Sequence, residues 1–98
     1  MDALIRVTAV EHLGARQLRV VFSDGLVREI DFDGALPGIL STINNDDSFS
    51  RVTVDATAGT VCWPNGIDLD PDVLHGDQES ASGHAPSVLR EYRLQQTA

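Results

Sequence analysis

The chain has 98 residues, 42% apolar and 22% charged, a composition that fits one folded domain with a modest core and excludes a disordered chain. Fifteen acidic residues against seven arginines and no lysine leave a formal net charge of −8, a field that repels phosphate backbones and anionic lipid, so neither nucleic acid nor membrane is an expected partner. Cys62 alone excludes an internal disulfide framework. With no leader pattern after Met1 and no apolar run near the ~20 residues that span a bilayer, a cytoplasmic location is expected.

From Ile5 to Leu13 the apolar Ile5, Val7 and Ala9 alternate with Arg6 and Thr8, which predicts a first strand. Gly14-Ala15-Arg16 interrupts it. A second strand follows over Gln17 to Phe22, with Leu18, Val20 and Phe22 on one face. Asp24-Gly25 supplies positive φ angles for a two-residue type I′ turn into a third strand. There Leu26, Arg28, Ile30 and Phe32 alternate with Val27, Glu29 and Asp31.

Leu36-Pro37-Gly38 punctuates the chain, after which Ile39, Leu40, Ile43 and Phe49 are spaced for short helical turns ending near Asn44-Asn45. Arg51 to Asp55 and Thr60 to Trp63 read as a second hairpin around Ala56-Thr57-Ala58-Gly59. Asp70-Pro71 offers a cap followed by a first-turn proline, which predicts one helical turn through Val73 and Leu74. The reading is therefore a single α+β domain over 1–75 with a small, mostly antiparallel sheet of about five strands, a three-stranded meander plus a second hairpin. A polar linker over 76–87 leads to a tail, 88–98, whose Val88, Leu89 and Tyr92 share one face of a short C-terminal helix carrying Arg90 and Arg93.

Three constellations are candidates for chemistry. Asp68, Asp70 and Asp72 with Glu79 fall at the first, third, fifth and twelfth positions of a calcium loop, but Val73 stands where the sharp turn needs glycine and Pro71 stiffens the middle. Capping of free backbone amides by Asp68 and Asp70 is the simpler reading. His12, His75, His84 and Cys62 lack the spacing of a transition-metal site, and Cys62 beside Trp63 reads as a small buried hydrophobe. Asp31 and Asp33 flank Phe32 as solvated strand carboxylates do. No phosphate loop, nucleophile elbow or zinc-protease helix is present, and no catalytic residue or cofactor is implied.

Phe22-Ser23-Asp24-Gly25, Asp47-Ser48-Phe49-Ser50-Arg51-Val52 and Trp63-Pro64-Asn65-Gly66-Ile67-Asp68-Leu69-Asp70-Pro71 together resemble the short bacterial family catalogued as domain of unknown function 2442, over about residues 5 to 75. In physical terms Asn65-Gly66 suits a tight turn, and Trp63 brings a large apolar surface to the sheet. The resemblance implies a small α+β fold, found in some relatives ahead of a helix-turn-helix domain. It also implies a partner encoded nearby, in an arrangement similar to a toxin and antitoxin pair.

Two functions follow as expectations. The first is a non-enzymatic, antitoxin-like or regulatory protein-binding module whose tail residues Val88, Leu89, Arg90, Tyr92 and Arg93 order on a partner, against the simpler outcome that the tail packs on its own domain or stays mobile. The second is a small cation-binding protein or metal-dependent enzyme built on Asp68, Asp70 and Asp72. A homodimer that covers a sheet edge is open to either.

Overall fold

The computed structural model describes residues 5–33, 42–64, 66–76 and 86–94. Strands β1 (Val7–Gly14), β2 (Gln17–Phe22) and β3 (Leu26–Asp31) form the expected antiparallel meander. Helix α1 (Asp46–Phe49), the hairpin β4 (Thr53–Asp55) and β5 (Thr60–Cys62), and helix α2 (Pro71–His75) follow. Last comes strand β6 (Ser87–Arg93), and the sheet order is β1-β2-β3-β6, with β4-β5 as a separate two-stranded sheet.

The period-two pattern of β2 and β3 dictates the packing. Leu18, Val20 and Phe22 from β2, and Leu26, Ile30 and the following Phe32 from β3, turn to one side and are buried. Ile43, Phe49, Val61, Trp63 and Leu74 cover them from the other layer. Val27 projects to the opposite face yet is also buried, beside Val21 on β2 and Tyr92 on β6 in the strand register.

Two local expectations are corrected and one is extended. The β2–β3 turn is not type I′: Gly25 has φ +88° but Asp24 has no positive φ, so the loop holds three residues, Ser23 to Gly25, with Gly25 N–H donating to Phe22 O at 3.0 Å. That is the turn-plus-left-handed-glycine solution, and the Asp24 carboxylate closes it by accepting from Leu26 N–H at 3.1 Å. A helical turn at Thr42 and Ile43 ends just before Asn44, as expected, but a second helix that the sequence did not predict follows at once. Asn45 starts it, its side chain accepting from Ser48 N–H at 2.8 Å while Asp46 and Asp47 occupy the first turn, where carboxylates complement the helix dipole. Ile39 and Leu40 lie outside the described residues.

The second correction concerns the tail, where residues 87–93 form a strand instead of a helix. A helix of that length is marginal by itself, whereas β3 would otherwise present a row of unpaired amides and carbonyls. Pairing with β3 satisfies that row, and β-branched Val88 and aromatic Tyr92 suit a pleated surface. A bulge at Leu89 lets Ile30 oppose Val88 while Glu29 opposes Arg90. Most of the expected linker, 77–85, lies outside the described residues.

Candidate functional site

Two of the three segments that carry the family resemblance, 47–52 and 63–71, meet. Trp63, at the end of β5, donates its indole N–H to the carbonyl of Phe49 at the end of α1 at 3.0 Å, and the two rings lie 5.5 Å apart. Phe49 also meets Phe32 at 6.0 Å and the His12 ring edge-on at 5.7 Å, with the Arg16 guanidinium 5.8 Å from its centroid. Trp63 sits at the start of a turn. Gly66 N–H returns to Trp63 O at 3.0 Å with φ +85° at the glycine, and Trp63 N–H donates to Ile67 O at 2.8 Å. Thr60 Oγ1 donates to Leu69 O, tying the following strand-like segment to β5.

Outside this buried aromatic pair lies a cleft of about 340 Å³ lined by Ile43, Asp47, Ser48, Arg51, Trp63 and Pro64. Its charged groups neutralise each other: Arg51 Nη2 lies 3.3 Å from Asp47 Oδ2 across one helical turn. Both side chains are largely exposed, and such a pair contributes little to stability. The cleft therefore offers an apolar floor and a paired rim, with no nucleophile and base in contact.

A second cluster joins three elements at the other end of the sheet. Asp24 Oδ2 lies 2.8 Å from His75 Nε2 at the end of α2 and 3.6 Å from Arg93 Nη1 on β6, and His75 packs edge-on against Phe22 at 4.9 Å. Burial pushes the Asp24 carboxyl up, but the Leu26 amide, His75 and Arg93 outweigh it and hold the carboxyl below its ordinary range. Arg28, on the core face of β3, reaches Leu74 O with Nη1 at 2.6 Å, an orphan carbonyl of the last helical turn. Its Nε lies 2.9 Å from Glu91 Oε2 on β6. Gly76, with φ +96°, ends α2 beside the same guanidinium, which a Cβ there would meet at 3.0 Å.

On the outer face, register aligns a stripe of alternating charge: Glu11 opposite Arg19, Arg19 opposite Glu29, and Glu29 opposite Arg90. Arg19 reaches Glu11 Oε1 at 2.7 Å and Glu29 Oε2 at 3.1 Å. The bond to Glu29 raises the Arg19 pKa; burial opposes it, and the charges of Glu11 and Glu29 add to the rise. Arg90 stacks over the Tyr92 ring at 4.7 Å.

The remaining predicted residues disperse. Asp68 is exposed and bridges back to Cys62, and exposed Asp70 supplies the carbonyl that accepts from Leu74 N–H at 3.1 Å. Among the described residues no three of His, Cys, Asp and Glu come close enough to hold a metal ion. The Asp72 side chain and Glu79 lie outside them, as do His84 and Asn65. Asp31 accepts from Asp33 N–H at 2.9 Å, a local turn contact. Cys62 is half-buried, its sulfur 3.6 Å from Thr53 Oγ1.

Residues 7–77 match the model of the family described as protein of unknown function (DUF2442). The chain belongs to this family. No curated protein and no solved structure matches it significantly. The match takes in every element through α2 and stops before β6.

The tail residues Val88, Leu89, Arg90, Tyr92 and Arg93 are legible as candidates in the sequence; Leu94 beside them and the anchoring roles of Arg28 and of Asp24 with His75 are not. A signal for Arg28 was present, since the alternation of β3 sets this charge on the core face among Leu26, Ile30 and Phe32. A charge there needs a polar partner.

Proposed function

We propose that this family member is a non-enzymatic protein-binding module, of the regulatory or antitoxin-like kind that the family resemblance implies, and that its contact surface is centred on β6. One observation carries the reading: Val88, Leu89 and Leu94, at 42%, 51% and 52% exposure, are the large apolar side chains exposed among the described residues, and all lie on or just after this strand. Apolar side chains gathered at one edge beside Arg90 and Arg93 have the makeup of a contact patch, with arginine as the charge of choice.

The test is co-expression of the tagged chain with the product of the adjacent gene. A stable complex that is lost on Val88→Glu with Leu89→Glu supports the reading. Failure to form a complex, or a complex indifferent to both substitutions, overturns it.

A further inference from the structure

We infer that the free edge of β3 is a strand-acceptor site that β6 fills in exchange, and that its occupant in trans is the β6 of a second copy of this chain. β6 is held with little burial. Of its seven residues only Tyr92 is even half-buried, so the strand brings almost no apolar area to the core. It is retained by the main-chain ladder and by charge, and both are interactions that water replaces at little net cost.

The β3 edge that β6 pairs with is different in kind. Val27, on the face away from the core cluster, is buried at 1% exposure with Tyr92 opposite it in the register. Departure of β6 therefore leaves β3 as an edge strand with unpaired amides and takes Tyr92 from beside Val27, which makes that edge a template for another strand.

Complementarity selects the occupant. A strand that fits must place an aromatic opposite Val27, a carboxylate opposite Arg28 and a cation opposite Glu29, the order Tyr92, Glu91, Arg90 supplied by β6 itself. Arg90 also completes the Glu11–Arg19–Glu29 stripe. The outer edge of β6, by contrast, is blunted by its bulge at Leu89 and by Arg90 and Arg93, which disfavours simple edge-to-edge pairing of two copies. Residues 77–85 span up to roughly 30 Å when extended, enough for β6 to reach its own β3 or a neighbour's. Reciprocal exchange forms a closed pair with every native contact retained. It stands apart from the partner reading, because a chain can exchange strands whether or not a second protein binds the patch.

The test mixes full-length Asp31→Cys and Ser87→Cys chains, each also carrying Cys62→Ser and one isotope-labelled, under a glutathione redox buffer. Asp31 and Ser87 face each other in the register, and the double variant on one chain serves as the control by closing an internal disulfide. Exchange predicts a mixed disulfide in clear excess over either self-linked dimer. A statistical mixture, or no dimer while the control closes, overturns the inference. A second measurement mixes Arg28→Glu with Glu91→Arg. Each alone opposes like charges within the chain, and reciprocal exchange between them restores opposite charges at both contacts, so the dimer fraction by light scattering rises several-fold on mixing. A mixture that remains as monomeric as its components contradicts it.

Discussion

The Trp63 region, inside the family match, and β6, outside it, are built on opposite principles. Around Trp63 and Phe49, large rings are fully enclosed and the indole N–H is answered by the Phe49 carbonyl. At β6, seven residues are laid against the sheet with every side chain but that of Tyr92 exposed, held by the ladder and by Arg28 and Asp24. Burial and shape fix the first region. The second depends on interactions that water and salt can replace, so it can detach without unfolding the rest.

The largest effect expected from breaking this contrast is at Trp63. Trp63→Ala removes a buried ring and should cost about 3–5 kcal/mol in a denaturant titration. Trp63→Phe keeps most of the packing but leaves the Phe49 carbonyl without its donor, for a loss of about 1–3 kcal/mol. A loss at Trp63 no larger than at a surface residue would dissolve the distinction.

Next comes the hairpin on which β6 leans. Gly25→Ala forces a Cβ into a left-handed backbone, with an expected loss of about 1–2 kcal/mol in thermal or chemical melts. At β6 itself, Leu89→Thr should change global stability by no more than about 0.5 kcal/mol, since the side chain is already in solvent and threonine keeps the strand preference.

The smallest expected effect is the pH dependence at Asp24. Its folded carboxyl lies below the ordinary value of 3.8, so the stability it supplies is complete above that value and is lost as the pH falls through the lower folded one. Asp24→Asn retains an acceptor for the Leu26 amide but loses the charge facing His75 and Arg93. The acid limb of the melting-temperature profile should therefore be shallower in the variant. An identical limb would mean that the three side chains are not coupled.

The meander, the second hairpin and the α2 turn were legible because period-two alternation and punctuation by Asp-Gly, Ala-Gly and Asp-Pro are local signals. The Asp24-Gly25 turn was located but mistyped, because the dipeptide fits both a two-residue loop and a three-residue loop with a left-handed glycine. Asn45 was ambiguous for a similar reason, since asparagine both ends and begins helices. The tail misled for a nonlocal reason. Val88, Leu89 and Tyr92 read as one helix face, and only the open edge of β3, distant in sequence, decides for a strand. The cleft was visible only in pieces. Asp47 and Arg51 carry helical spacing, and nothing local shows that α1 will meet the Trp63 turn.

Native-state amide hydrogen exchange tests the central contrast most directly. The account predicts that β6 amides from Ser87 to Arg93 exchange through a local opening well below the global unfolding free energy, while those of Leu18, Val20 and Phe22 on β2 exchange only with global unfolding. Equal protection of β6 and β2 would contradict it.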